Sequence, residues 1–232
     1  MERVWRLILD EAHEPHMNMA IDKAIMLCQK NGTCLPTLRI YRWLYPCISI
    51  GRFQNLDEVL MWGSDLPIVK RPTGGGAVFH NEFGFTYSIV YQEKSFVLPR
   101  GVLDSYRQIH IGILNGLKNL GIDAVLYTFE RNGRRSLPPK VCFTTPAEFD
   151  ITCDNKKIAG AAQRRMFEAV LHQGEVGLSL DVWPDWSYNK LKYAILKGLS
   201  KQLSAKFVER CLSEKEKILA EELECYFKEV KR

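Results

Sequence analysis

The 232-residue sequence has no apolar run long enough to cross a bilayer. Stretches such as Ile48 to Ile50 or Ala159 to Ala162 fall far short of the ~20 residues a spanning helix needs, which excludes that class. The opening residues, Met1 to Asp10, carry Glu2, Arg3 and Arg6 and lack a long h-region and a small-residue cleavage site. No export signal is therefore expected, and a cytoplasmic location follows. The seven cysteines (Cys28, Cys34, Cys47, Cys142, Cys153, Cys211, Cys225) form no CxxC pair and no metal-ligand cluster. Their odd, scattered set argues against a disulfide framework and against a zinc or other metal site, and most are expected to be small buried hydrophobes in a reducing compartment. Repeats, low-complexity tracts and long linkers are also missing. So are a Gly-Lys-Ser/Thr phosphate loop and a GxGxxG at a strand-to-helix junction, which removes P-loop enzymes and dinucleotide-binding units.

What is present is a chain rich enough to fold, with 46% hydrophobic and 11% aromatic residues, able to bury a substantial core. A formal charge of +5 and a pI near 8.8 would speed encounter with an acidic partner. Apart from Arg131 to Arg135 and Lys228 to Arg232, however, the basic residues are dispersed, and no nucleic-acid motif accompanies them. A solvated basic surface is the reading that charge alone favours, with no nucleic-acid or membrane partner.

Val4 to Leu9 reads as a strand. Asn18 then caps a helix with Ile21, Ala24, Ile25 and Cys28 at helical spacing, ending near Asn31-Gly32. Leu38 to Leu44 and Cys47 to Phe53, rich in Ile, Tyr and Trp and separated by Tyr45-Pro46, read as a hairpin. Ile68 to Arg71 is a strand running into three glycines, and Phe85 to Tyr91 a strand following them. Tyr106 to Leu120 is a helix closed by Gly121. Arg131 to Lys140 reads as a loop leading to Cys142, and Asp154-Asn155 as the turn between Phe149 to Cys153 and Lys157 to Ala161. Val176 to Leu180 reads as a further strand. From Trp183 the pattern is helical and charged, with a Ser213/Glu216 capping box. The class is α+β: a central mixed sheet with flanking helices, residues 1–182 as one domain and 183–232 as a short helical C-terminal extension.

The most distinctive segment is Arg71-Pro72-Thr73-Gly74-Gly75-Gly76-Ala77-Val78-Phe79-His80. Successive glycines let main-chain N–H groups approach a ligand closely, with an arginine beside them to meet negative charge. A glycine-rich bulge at a sheet corner fits the same residues.

This loop, together with Asn18-Met19-Ala20-Ile21-Asp22 and Lys157-Ile158-Ala159-Gly160-Ala161-Ala162-Gln163, resembles in matching order the motif set of lipoate-protein ligases and octanoyltransferases. The similarity covers roughly residues 4 to 182. It implies an α/β catalytic domain shared with biotin-protein ligases and a tunnel for an octanoyl or lipoyl chain. It assigns substrate binding to Arg71, Gly74, Gly75, Gly76, His80, Gly160 and Ala161. The likeness is closest to octanoyltransferases with a cysteine-lysine dyad, because Val141-Cys142-Phe143 precedes Lys157 by fifteen residues. On that pattern Cys142 is acylated and Lys157 stabilises the thiolate or takes a proton. His80 and His172 taken singly read as hydrogen-bonded structural residues.

The resemblance implies transfer from acyl carrier protein to a lysine of a lipoyl-domain protein, such as a 2-oxoacid dehydrogenase E2 subunit or the glycine cleavage H protein, with no cofactor. The alternative is ATP-dependent lipoate ligation, with Mg²⁺ and with Arg71 and Lys157 on an acyl-AMP phosphate. A non-catalytic acyl or lipoyl-domain binder is a further alternative. Biotin ligation is disfavoured by the lack of an arginine-glycine-rich biotin loop. The sequence departs from the family pattern at Asn81, where aspartate is common, and at Lys23, where glutamate is usual. At His172-Gln173-Gly174-Glu175, histidine usually precedes the glycine and a small hydroxyl residue follows it.

Overall fold

The computed structural model describes residues 2–29, 34–61, 64–95, 97–129 and 144–228. Strand β1 (Arg3–His13) leads into α1 (Pro15–Cys28), then β2 (Thr37–Trp43), β3 (Cys47–Ile50), the short α2 (Leu56–Leu60), β4 (Ile68–Lys70), β5 (Val78–His80) and β6 (Gly84–Gln92). After α3 (Val102–Asn119) come β7 (Val125–Leu126), β8 (Ile151–Cys153), β9 (Lys156–Met166), β10 (Ala169–Gly177), α4 (Tyr188–Leu203), β11 (Ala205–Glu209) and α5 (Glu214–Lys228). Eight strands form one mixed sheet in the order β11-β1-β2-β6-β10-β9-β8-β7, and β4-β3-β5 form a second, small sheet. The expected α+β class with a central mixed sheet and flanking helices is the one observed. Among the described residues no helix is long and apolar enough to cross a membrane.

The pleat divides the large sheet into two faces. Phe85, Tyr87, Ile89 and Tyr91 of β6, with Val170 and Val176 of β10, join the core under α3 and α4. Val90, Ala169 and Leu171 point the other way, into the core under α1 and α5. That second face also carries Thr86, Ser88, Gln173 and Glu175, all buried. Buried polar side chains cost free energy unless partnered, so a row of them marks where a site has displaced core.

Several local readings are corrected. The first helix begins at Pro15, whose fixed φ suits the first turn, so Asn18 lies inside it rather than capping it. Asn18 instead gives its side-chain amide to His13 O (3.2 Å) and Arg42 O (3.0 Å). The described part of α1 ends at Cys28, and the expected end near Asn31-Gly32 lies outside the described residues. β2 and β3 do not form a hairpin, because β2 is already paired on both edges, with β1 and β6, and β3 passes to the small sheet between β4 and β5. The strand expected at Val176 to Leu180 runs instead over Ala169–Gly177. The segment after Trp183 is not wholly helical: Ala205–Glu209 adds a parallel strand beside β1.

Other readings hold. Asp154 and Asn155 have φ of +48° and +61°, as a two-residue hairpin turn between β8 and β9 requires. Ser213 N donates to Glu216 Oε2 at 2.8 Å and Glu216 N to Ser213 Oγ at 3.3 Å, completing the capping box. Glu216 also takes both Arg6 terminal nitrogens at 2.8 and 2.5 Å, tying α5 to β1. The loop reading of Arg131 to Lys140 falls outside the described residues.

Candidate active site

The glycine loop joins β4 to β5 and rests on β3. Arg71 is buried and turned into the loop: Nη1 donates to Ser49 O (2.6 Å) and Ser49 Oγ (2.8 Å), and Nη2 to Gly74 O (2.9 Å) and Gly76 O (2.8 Å). It fastens the loop. Gly75 has φ +88° and so needs glycine. A Cβ on Gly51 would lie 2.0 Å from Gly75 O, so loop and β3 meet backbone to backbone. Gly74 has nothing within 4 Å of its Cβ position and faces open space.

Between this loop, α1 and the large sheet lies a narrow cavity with about 30 Å³ of free volume. Met19, Tyr41, Trp43 and Val78 supply apolar wall, while Gly160, Ala161 and Ala162 of β9 present no bulk. Arg71, Ser49, His80 and Glu175 also line it. His80 stacks on Trp43 at 4.1 Å, with Nε2 2.6 Å from Ser49 Oγ. Its Nδ1 lies 3.3 Å from Glu175 Oε2, an ion-pair separation rather than a well-aligned hydrogen bond.

One wall is held by a buried network centred on Asp22. Its Oδ1 accepts from Arg39 Nη1 (2.9 Å) and Ser88 Oγ (2.7 Å), and its Oδ2 from Tyr41 OH (3.1 Å) and Gln173 Nε2 (2.7 Å). Burial, reinforced by the Asp22 charge, pushes the Tyr41 hydroxyl well above its ordinary value, keeping it a neutral donor. Gln173 Oε1 in turn accepts from Thr73 Oγ1 at 2.8 Å. The Asn18-to-Asp22 motif thus reaches the glycine loop through Gln173.

The other end is built around Lys157. The β8–β9 register slips between Ile151 and Thr152, opposite Ala159 and Lys157, leaving Ile158 as the extra residue of a bulge. Ile158 and Ala159 both enter the core under α3 and α4. The bulge frees Lys157 to share a face with Gly160. Its Nζ lies 2.6 Å from Asp150 Oδ2, with both side chains almost fully buried. A Cβ on Gly160 would fall 2.4 Å from Lys157 Cε and 2.6 Å from Nζ, so glycine makes room for the ammonium at the cavity wall. Tyr106 OH donates to Asp150 Oδ1 and accepts from Ala161 N at 2.9 Å. Burial and the Asp150 charge hold this phenol well above its ordinary value.

Behind this corner, His172 meets Gln163 Nε2 through Nδ1 (3.1 Å) and Tyr87 OH through Nε2 (3.2 Å), while His110 Nδ1 bonds Phe149 O (2.7 Å). Burial lowers His110 to about 4, and burial with nearby His110 and Arg165 holds His172 well below the usual range. Both are neutral when folded and protonate more readily unfolded, so stability falls as pH drops below the unfolded value of about 6.5. For His110 alone the loss by pH 4 is about 3 kcal/mol. Urea midpoints measured from pH 7 to 4 should fall accordingly, and His110→Phe should flatten the profile; an unchanged slope in that variant would reject the assignment.

The Lipoyl protein ligase A/B catalytic domain description matches residues 14–231 of the chain. The chain belongs to that family. Among curated relatives, the octanoyltransferase LipM of Symbiobacterium thermophilum is 41% identical over 192 residues, spanning 78% of this chain and 68% of the relative. The LipM of Clostridioides difficile is 33% identical and spans 94% of each. Among solved structures, a T. acidophilum protein named as a candidate lipoate protein ligase, with bound lipoic acid, is 27% identical, covers 95% of each chain and superposes with a TM-score of 0.76.

Of the residues expected at the site of this ligase-family chain, the fold brings Arg71, Gly160, Ala161 and His80 to the lining of one cavity, while Gly74, Gly75 and Gly76 are not among its lining residues. Lys157 stands immediately behind Gly160. Cys142 lies outside the described residues. Sequence reasoning missed Asp150 and Tyr106. In the sequence Tyr106 reads only as part of a helix, and the signal for Asp150 is its place just before β8, across the hairpin from Lys157. His172, expected to be structural, is fully buried and hydrogen-bonded.

Proposed function

We propose that this protein is an octanoyltransferase that takes an octanoyl group from acyl carrier protein as a thioester on Cys142 and passes it to a lysine of a lipoyl-domain protein. The acceptors would be 2-oxoacid dehydrogenase E2 subunits or the glycine cleavage H protein, in the cytoplasm. The observation that carries the reading is the buried Lys157–Asp150 pair, set directly behind Gly160, which lines the narrow apolar cavity. The names of the relatives support it.

In the first half-reaction the Cys142 thiolate attacks the donor carbonyl and the carrier thiol leaves, so one thioester replaces another and no ATP is consumed. In the second, the acceptor amine attacks the Cys142 thioester, the C–N bond of the amide forms as the C–S bond breaks, and the amine's proton passes to the departing Cys142 sulfur. The Lys157 cation offsets charge on the thiolate and on the tetrahedral oxygen, while Asp150 and Tyr106 fix its position. Arg71 acts on the loop, holding Gly74 to Gly76 over the chain.

Intact-mass spectrometry with octanoyl-acyl carrier protein, without ATP, tests this. An octanoyl adduct on the wild type that Cys142→Ala loses is the expected result. No adduct, with lipoyl-AMP appearing once lipoate, ATP and Mg²⁺ are added, would instead make the protein a ligase; the lipoic acid in the T. acidophilum structure is what favours that second reading.

A further inference from the structure

We infer that Lys23, Arg52 and Arg164 form an anion site beside the cavity, and that it binds the phosphate of the donor's pantetheine arm. The inference rests on the donor reading above and extends it to a second point of contact. Lys23 Nζ and Arg164 Nη2 converge on the same atom, the thioether sulfur of Met166, at 3.9 and 3.4 Å. Arg164 Nη1 donates to Pro72 O (3.2 Å), and Arg52 N to Thr73 O (2.9 Å), so Arg164 and the Arg52 backbone adjoin the start of the glycine loop, with the Arg52 guanidinium 4.8 Å over the Phe53 ring.

A thioether and a carbonyl neutralise no charge. Burial first, and then the charges of Arg164 and Arg52, lower Lys23 to about 8. Burial and Arg52 likewise lower Arg164. Like charges gathered beside a cleft repel one another, and a bound anion relieves that repulsion. Two guanidinium groups and an ammonium are the donor types that suit a phosphate.

The placement fits an arm attached to a chain in the cavity. Met19 and Ala162 line the cavity. Lys23 follows Met19 by one helical turn on the same side of α1, and Arg164 follows Ala162 by two residues on the same face of β9. Gly160, with the Lys157 ammonium beside it, lies about 13 Å from Arg164 along the strand. A thioester carbonyl at Lys157 and a phosphate at Arg164 would therefore be joined by a partly extended pantetheine. Lysine at position 23, where the resemblance leads one to expect glutamate, sets a third cation beside Arg164 and Arg52 among the described residues.

The experiment compares self-acylation by octanoyl-4′-phosphopantetheine and by octanoyl-pantetheine, which differ only in the phosphate, for wild type, Lys23→Glu and Arg52→Gln. Wild type should use the phosphorylated donor with a KM about tenfold lower or better, as one or two charge-assisted contacts would give. Lys23→Glu should bring the ratio of the two KM values close to one, with exposed Arg52→Gln between. Equal KM values in the wild type, or a ratio that Lys23→Glu leaves intact, would overturn the site. If neither donor acylates any variant, the transferase reading has failed. Calorimetric titration with 4′-phosphopantetheine against pantetheine then decides the anion site alone: tighter binding of the phosphorylated compound, lost in Lys23→Glu, supports it, and equal binding rejects it.

Discussion

Gly160→Ala is expected to give a folded protein that transfers acyl groups on the order of 10²-fold more slowly, the loss typical of a displaced catalytic group. Gly160 has no left-handed φ, so alanine suits its backbone. The new methyl group collides instead with the flexible end of Lys157, 2.4 Å from Cε and 2.6 Å from Nζ, and lies 3.1 Å from Asp150 Oδ1. The lysine can swing away, so the sheet survives, but the ammonium leaves the cavity wall. Lys157→Met should match the kinetic loss per folded molecule, with a further loss of stability because Asp150 is left buried without its cation, and the double variant should transfer no more slowly than either single one. Steady-state transfer assays with circular dichroism as a folding control make the comparison. Activity within about threefold of wild type in folded Gly160→Ala would remove Lys157 from the chemistry.

Much of this site was legible in the sequence because its parts are local. Three consecutive glycines after an arginine, and Lys157 three residues ahead of Gly160, are visible without any partner, and the Asp154-Asn155 turn and the Ser213 capping box are equally short-range. What could not be read depends on distant pairing. Asn18 has the composition of a cap, yet its partners lie at Arg42 and Arg39, which only the packing of α1 on β2 supplies. β2 and β3 are neighbours in sequence with a turn between them, but β6, some fifty residues on from β2, claims the edge a hairpin would use. β11 is five residues between two helices and earns its assignment from the open edge of β1. Asp150 meets Lys157 only because a bulge re-aims the lysine, and a bulge has no signature in composition.

Asp22→Ala is expected to cost about 3–5 kcal/mol, the range for removing one partner of a buried ion pair. For a chain of this size that corresponds to roughly 10 °C or more in melting temperature. Four donors lose their acceptor at once: Arg39, Ser88, Tyr41 and Gln173. Arg39 has no exposed side-chain surface, and it keeps only Asp10 (Nε to Oδ2, 2.7 Å) and Asn18 as compensation. Replacing both charges, Asp22→Leu with Arg39→Met, should recover much of the stability, since the cost lies in the stranded guanidinium rather than in the missing bond. It should not recover the site. Gln173 would still have lost the carboxylate that orients its amide, and with it the fixed acceptor for Thr73 at the start of the glycine loop. The double variant is therefore expected to melt near the wild type but bind donor with a raised KM. An Asp22→Ala midpoint within about 1 kcal/mol of wild type would mean that water satisfies Arg39 in this core, and the proposed link from α1 to the loop would fall with it.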